Sequence, residues 1–172
     1  IGNPFYSTDL VYDPDLSFEG FAGTTRIGLG NRPSRQNAFL TLGAFQLEEV
    51  EQSQDDKWLY AAQAGVDWTF GNRSKLRGAV GYYHYANITG RRNALDSTLL
   101  DYTAPKWLQK GNTLFDIRND ADPSTNLFAL AADYHVLDVI LGYDMPVMNR
   151  YQLSVLANYA INLGYDEEEV MQ

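Results

Sequence analysis

An all-β fold, an antiparallel up-and-down transmembrane β-barrel or part of one with about 6–8 strands, is what this sequence predicts. Three observations carry that expectation. Residues 57–70, KWLYAAQAGVDWTF, alternate between apolar and polar without a break, with aromatics at both ends of the apolar face. The sequence has no apolar run of about 18 residues or more, so no transmembrane helix is expected. Short turns alternate with long polar links along the chain, as periplasmic turns and extracellular loops do in bacterial barrels.

The 57–70 stretch fixes the scale. Trp58, Tyr60, Ala62, Ala64, Val66, Trp68 and Phe70 fall on one face, and Leu59, Ala61, Gln63, Gly65, Asp67 and Thr69 on the other. Ten steps from Trp58 to Trp68 span roughly 33 Å at about 3.3 Å per residue. Tilted by about 40–45°, such a strand rises roughly 23–25 Å, close to the ~25 Å apolar band between the aromatic girdles of an outer-membrane barrel. A strand of a soluble sandwich is usually half as long. The even-numbered face is therefore expected to meet lipid.

The other elements follow in order. A first strand is expected over 16–29, with Leu16, Phe18, Gly20 and Ala22 on one side and its phase blurred by Phe21 and Ile27. The turn-forming residues of 30–36 separate it from a second strand over 37–48. After an acidic, Gln-rich link comes the 57–70 strand, a tight reversal at 71–74, and a fourth strand over 75–88. Residues 89–126 sustain no period and read as a long extracellular loop, with at most a helical turn or two in 93–101 or 105–110. Over 127–145 the β-pattern returns but changes phase, which either a bulge near His135 or two short strands would explain. A turn at 146–150 leads to a last strand over 151–163 with Tyr151, Leu153, Val155, Ala157, Tyr159, Ile161 and Leu163 on one side. The whole of 1–172 reads as a single barrel segment. Its opening, Ile1-Gly2-Asn3-Pro4, and its acidic finish suggest a mature or proteolysed piece, or an internal segment of something longer.

Composition removes several function classes. Mean hydropathy is −0.34, which does not argue against a barrel, because inward polar positions dilute each strand. Cysteine is absent, so thiolate chemistry, disulfides and cysteine zinc sites are excluded. A formal net charge of −9 argues against nucleic acid as a partner. No nucleophile motif of the Gly-x-Ser-x-Gly kind occurs, and Gly28-Leu29-Gly30 lacks the rest of a dinucleotide loop. No enzyme activity, cofactor or metal is expected. His84 and His135 are the only imidazoles and lack a partner at fixed ligand spacing, and His84 reads as a polar aromatic at girdle level. The acidic tail from Asp166 to Glu169 lacks a calcium-loop pattern and reads as a solvated charge run.

Candidate functional residues fall into two sets. Trp58, Tyr60, Trp68, Phe70, Tyr82, Tyr151 and Tyr159 are the expected membrane girdle. Asp67, Lys75 and Arg77 on polar faces, with Arg91, Arg92, Asp116 and Arg118 in the 89–126 loop, are the expected lumen and selectivity charges. The plain alternative is a solvated loop and the wet face of a soluble sheet.

Five ordered stretches resemble one family: NPFYSTDLVYDPDLSFEGF at 3–21, KWLYAAQAGVDW at 57–68, DYTAPKWLQKGNTLFDI at 101–117, LFALAADYH at 127–135 and ANYAINLGYD at 157–166. They are similar to the putative porin family of Gram-negative outer membranes, and the resemblance covers nearly the whole chain. It implies an outer-membrane β-barrel that passes small solutes or ions by passive diffusion, with no catalytic residues to transfer. Full-length members are longer, begin with a signal sequence and have more strands, so the chain looks like a segment of such a porin. Outer-membrane lipid and lipopolysaccharide are then the expected surroundings, and open strand edges would pair further copies into a homo-oligomer. Two other classes stay open. One is a soluble extracellular β-sandwich that binds glycans through exposed Trp58, Trp68 and Tyr82. The other is a porin-derived structural fragment that assembles through its β-edges.

Overall fold

The computed structural model describes residues 1–12, 15–31, 35–51, 55–106, 111–148 and 150–166. Three residues of the first expected turn (Arg32, Pro33, Ser34), part of the 105–110 helical candidate, and tail residues Glu167, Glu168 and Glu169 lie outside the described residues. The regular elements are β1 (Gly20–Gly28), β2 (Gln36–Glu48), β3 (Lys57–Thr69), β4 (Lys75–Ala86), β5 (Leu114–Asp116), β6 (Phe128–Leu130), β7 (Tyr134–Val147) and β8 (Tyr151–Asn162), with single 3-10 turns at Asp101–Thr103 and Pro123–Thr125. The protein is all-β and antiparallel. Six strands form one sheet in the order β1-β2-β3-β4-β7-β8, and β5 and β6 form a second. No closed barrel forms among the described residues, since β1 and β8 end the larger sheet.

Three boundaries differ from the sequence expectation. The first strand begins at Gly20, not at 16, and Phe18 instead turns inward as a buried residue. Its register explains the blurred phase. Thr24 and Arg26 oppose Thr41 and Phe39, while Phe21 and Ile27 oppose Ala44 and Ala38 on the other face. Over 127–145 the second of the two readings holds, two strands β6 and β7 with the phase change marking the break at 131–133, but β7 runs on to Val147, into the expected 146–150 turn. The 89–126 stretch is not irregular throughout. Strand β5 pairs with β6 through Leu114↔Leu130, Phe115↔Ala129 and Asp116↔Phe128. Three-residue strands are too short to display a period, which is why pattern reading misses them.

Packing divides the chain into two compact units. The first comprises Ile1–Phe45, Tyr60–Tyr83 and Val136–Ile161. Its core is aromatic: Phe5, Tyr12 and Phe18 of the N-terminal segment lie on Phe45 of β2 and Tyr83 of β4. Ring centroids are 6.0 Å apart for Phe5–Phe45, 5.4 Å for Phe5–Tyr83, 5.0 Å for Tyr12–Tyr83 and 4.7 Å for Phe18–Phe45, in edge-on or tilted arrangements. Burial of each such ring is worth about 1.5–3 kcal/mol. The second unit comprises Gln46–Leu59, His84–His135 and the described residues from Asn162 onward. There Ala104, Ile117 and Ala129 are buried, with Phe115 and Leu127 packed against them.

Candidate functional site

The two faces of the larger sheet differ in kind within the first unit. One face is covered by the N-terminal segment. Gln63 of β3 is buried at 1% exposure and clamps that segment reciprocally. The Tyr6 N–H donates to Gln63 Oε1 at 2.8 Å, and Gln63 Nε2 donates to the Tyr6 carbonyl at 2.7 Å. Both hydrogen bonds satisfy groups that burial would otherwise leave unpaired. At Gly142 of β7 a Cβ would lie 2.6 Å from the Tyr6 hydroxyl, so the phenol rests where any other residue would carry a side chain. The Thr8 hydroxyl meets Asn158 of β8, whose amide donates to Asp138 of β7.

Charge gathers around this segment. The Arg77 guanidinium stacks 4.3 Å from the Tyr6 ring and 5.5 Å from the Phe39 ring, and Arg26 lies 5.9 Å from Phe39 on the strand beside it. Arg77 Nε is 2.9 Å from Asp67 Oδ1, close enough for an ion pair, though the N–H points off the oxygen. Both partners are about a third exposed, so this pair contributes at most about 1 kcal/mol. A cavity of about 330 Å³ opens here, lined by Asn3, Ser7, Arg26, Phe39, Thr41 and Arg77, among others. A second, of about 500 Å³, is lined by Asp67, Lys75, Arg77, Asp144 and Ser154 beside Tyr6. Burial pushes the Tyr6 phenol up from its ordinary value of 10, with Arg77 pulling the other way.

The opposite face is bare. Leu40, Leu42, Tyr60, Val66, Val80, Tyr82, Val139, Leu141, Leu153, Val155, Tyr159 and Ile161 are all exposed at alternating positions. Trp68 is half-buried beside exposed Phe70, with ring centroids 6.5 Å apart, and Phe70 also meets Tyr143. Tyr151 is 70% exposed. An apolar face this extensive is unusual for a soluble surface.

Of the charges singled out by sequence, Asp67, Lys75 and Arg77 line one cavity together. The others belong to the second unit and do different things. Arg118 donates to Asp101 at 2.6 Å, and Asp116 accepts the backbone N–H groups of Arg118 and Leu127. These two are committed to holding the 89–126 stretch folded. The Arg91 N–H donates to the Thr103 hydroxyl and the residue is exposed, as is Arg92. Trp58 is half-buried within the same unit. Sequence reasoning missed Tyr6, Arg26, Phe39 and Thr41. The one available signal was Gln63, a long amide among small residues on its face of the strand.

Tyr102 in this unit donates to Asp55 Oδ2 at 2.9 Å, and that hydrogen bond raises its phenol above the ordinary value of 10. The folded value exceeds the unfolded one, so the contribution is fully present below about pH 10 and is lost as pH rises through the folded value. Ultraviolet absorbance of the phenolates should resolve a late-titrating tyrosine that disappears in Tyr102→Phe. An unchanged alkaline titration would remove the bond.

A family model described as "Putative porin" matches residues 1–172. No curated protein and no solved structure matches the chain. With its long antiparallel strands, one face bare and apolar and the other charged and cavity-bearing, the chain belongs to the putative porin family.

Proposed function

We propose that this chain forms wall and lumen of an outer-membrane channel through which small solutes or ions diffuse passively, without enzymatic chemistry. The observation that carries the reading is the uncovered, alternating apolar face of β2, β3, β4, β7 and β8, backed by a polar face with Asp67, Lys75 and Arg77 on one cavity. Lipid tails and lipopolysaccharide cover the first face, with Tyr60, Trp68, Phe70, Tyr82, Tyr151 and Tyr159 contributing to the aromatic girdles and Trp58 at the far end of β3. Water and solute meet the second, where the N-terminal segment narrows the path and the two arginines beside Phe39 bias it by charge. Strands β1 and β8 pair with further strands, from the same protein or from other copies, because an open edge in hydrocarbon leaves backbone groups unsatisfied at several kcal/mol each.

Planar-bilayer recording of the purified protein tests the channel directly. Discrete, ohmic conductance steps are expected; a protein that inserts and never conducts would overturn the reading. Lipid contact has its own test. Ala64 is exposed at the middle of β3, and Ala64→Arg should cost about 2–4 kcal/mol of stability in vesicles, whereas Tyr151→Arg at a strand end should cost about 0–1 kcal/mol. Urea titration of folding into vesicles measures both. Equal costs at the two positions would place neither in a bilayer.

A further inference from the structure

The narrowing beside the N-terminal segment carries charge of a definite sign. Thr24 and Arg26 of β1 lie directly opposite Thr41 and Phe39 of β2, so these four side chains share one face of the sheet. The Thr24 and Thr41 hydroxyls hydrogen-bond across the pair at 2.9 Å. Phe39 reaches over β3, where a Cβ at Gly65 would lie 2.4 Å from Phe39 Cζ. Glycine at that position leaves the ring its place. Through this ring two strands that are not neighbours, β1 and β4, bring their arginines to one spot. The guanidinium carbons of Arg26 and Arg77 lie 5.9 and 5.5 Å from the same ring centroid, so they stand no further apart than those two distances laid end to end.

Both arginines line the cavity of about 330 Å³, and among the described residues its lining includes no Asp or Glu. Arg77 is partly neutralised, since Asp67 Oδ1 lies 2.9 Å from its Nε. Arg26 is exposed and, among the described residues, makes no ion pair. The adjoining cavity shares Tyr6 and Arg77 but sets Asp67 and Asp144 against Lys75 and Arg77, so its charges balance. Positive charge is therefore concentrated on the Arg26 side. The chain's net charge of −9 does not override it, because exposed charges beyond about 8 Å are largely screened at physiological ionic strength. Like charges held this close repel, and an anion near both relieves the repulsion. A water takes up about 30 Å³ of liquid, so a small anion has room here with part of its hydration shell.

We infer that this cavity makes the channel selective for anions, and that the solutes it favours are small carboxylates and phosphates; the solute class rests on the channel reading above. Each guanidinium presents a planar fork of N–H donors and no acceptor, which matches two oxygens of such an anion and offers a cation nothing. Arg26 sets the sign, because no acid among the described residues offsets it, while Arg77 is shared with Asp67. The Thr41 hydroxyl and the Asn3 and Ser7 side chains make the rest of the wall polar without changing its charge. A cleft lined by one sign of charge on low-dielectric walls, here the Phe39 and Tyr6 rings, focuses the field on a passing ion.

Reversal potentials in a KCl gradient across a planar bilayer read the sign. Wild type should pass chloride in preference to potassium, Arg26→Gln should lose that preference, and Arg26→Lys should keep it because the charge is unchanged. Inorganic phosphate should block the chloride current, at a concentration about 10-fold higher in Arg26→Gln, where a charge-assisted contact is lost. A cation-selective wild type, or equal selectivity in wild type and Arg26→Gln, would overturn anion selection and leave the channel standing. Broadening of the phosphorus resonance of inorganic phosphate, with the full chain in detergent, reads binding without conduction. Broadening is expected with wild type and much less with Arg26→Gln; none, or the same with both, would remove the site. A protein that never conducts yet binds phosphate through Arg26 would end the channel reading and keep the anion site.

Discussion

Glu48→Ala is expected to destabilise the protein by about 3–5 kcal/mol, although the position looks like one more acid in an acidic link. Lys57 at the start of β3 is buried, its side chain 1% exposed, and its ammonium donates to Glu48 Oε2 at 2.9 Å and to the Tyr102 carbonyl at 3.0 Å. Removing the carboxylate leaves a buried cation with one carbonyl, and neither the low-dielectric surroundings nor solvent can then compensate the charge. Lys106, 3.9 Å from the other oxygen of Glu48, is 80% exposed and contributes little. The double change Lys57→Met with Glu48→Leu should be near neutral, because it removes the desolvated charges together. Urea unfolding of the three proteins in detergent gives both values. A Glu48→Ala protein within about 1 kcal/mol of wild type would show that water reaches the lysine.

Phe45→Ala is expected to cost about 3–5 kcal/mol and to release the N-terminal segment. Phe45 is fully buried, packs on Phe5 and Phe18, and has no polar function whose loss could confuse the result. Deleting the ring leaves a void between β2 and the segment that the remaining rings can only partly fill. Segment release should raise single-channel conductance as the unfolding midpoint falls. A lower midpoint with unchanged conductance would mean that the segment does not narrow the path.

Periodicity along single strands was legible where the two sides of a strand meet different surroundings. Strands β2, β3, β4 and β8 start and stop within a residue or two of the expected positions, because thirteen residues of alternation in β3 leave no competing period. Where the signal was local and short it failed. Phe18, placed by its phase on a strand, is drawn out of it by Phe45 and Tyr12, and β5 and β6 exist only because they pair with each other. Charges were visible as charges, but not their occupations. Asp116 and Arg118 are spent on backbone N–H groups and on Asp101, while Asp67, Lys75 and Arg77 meet at one cavity.

The amino-acid order by itself therefore determined the all-β, antiparallel character, the long strands and which face of β3 is apolar, since alternation with a period of two is written directly into the chain. Tertiary structure alone decided that Phe5, Tyr12 and Phe18 of the N-terminal segment lie on one face of the sheet, that Gln63 grips Tyr6, and that two histidines fifty-one residues apart stand nitrogen to nitrogen. Those contacts join residues far apart in sequence, and a hydrogen bond or ring contact across such separations leaves no periodic trace in the segments that make it.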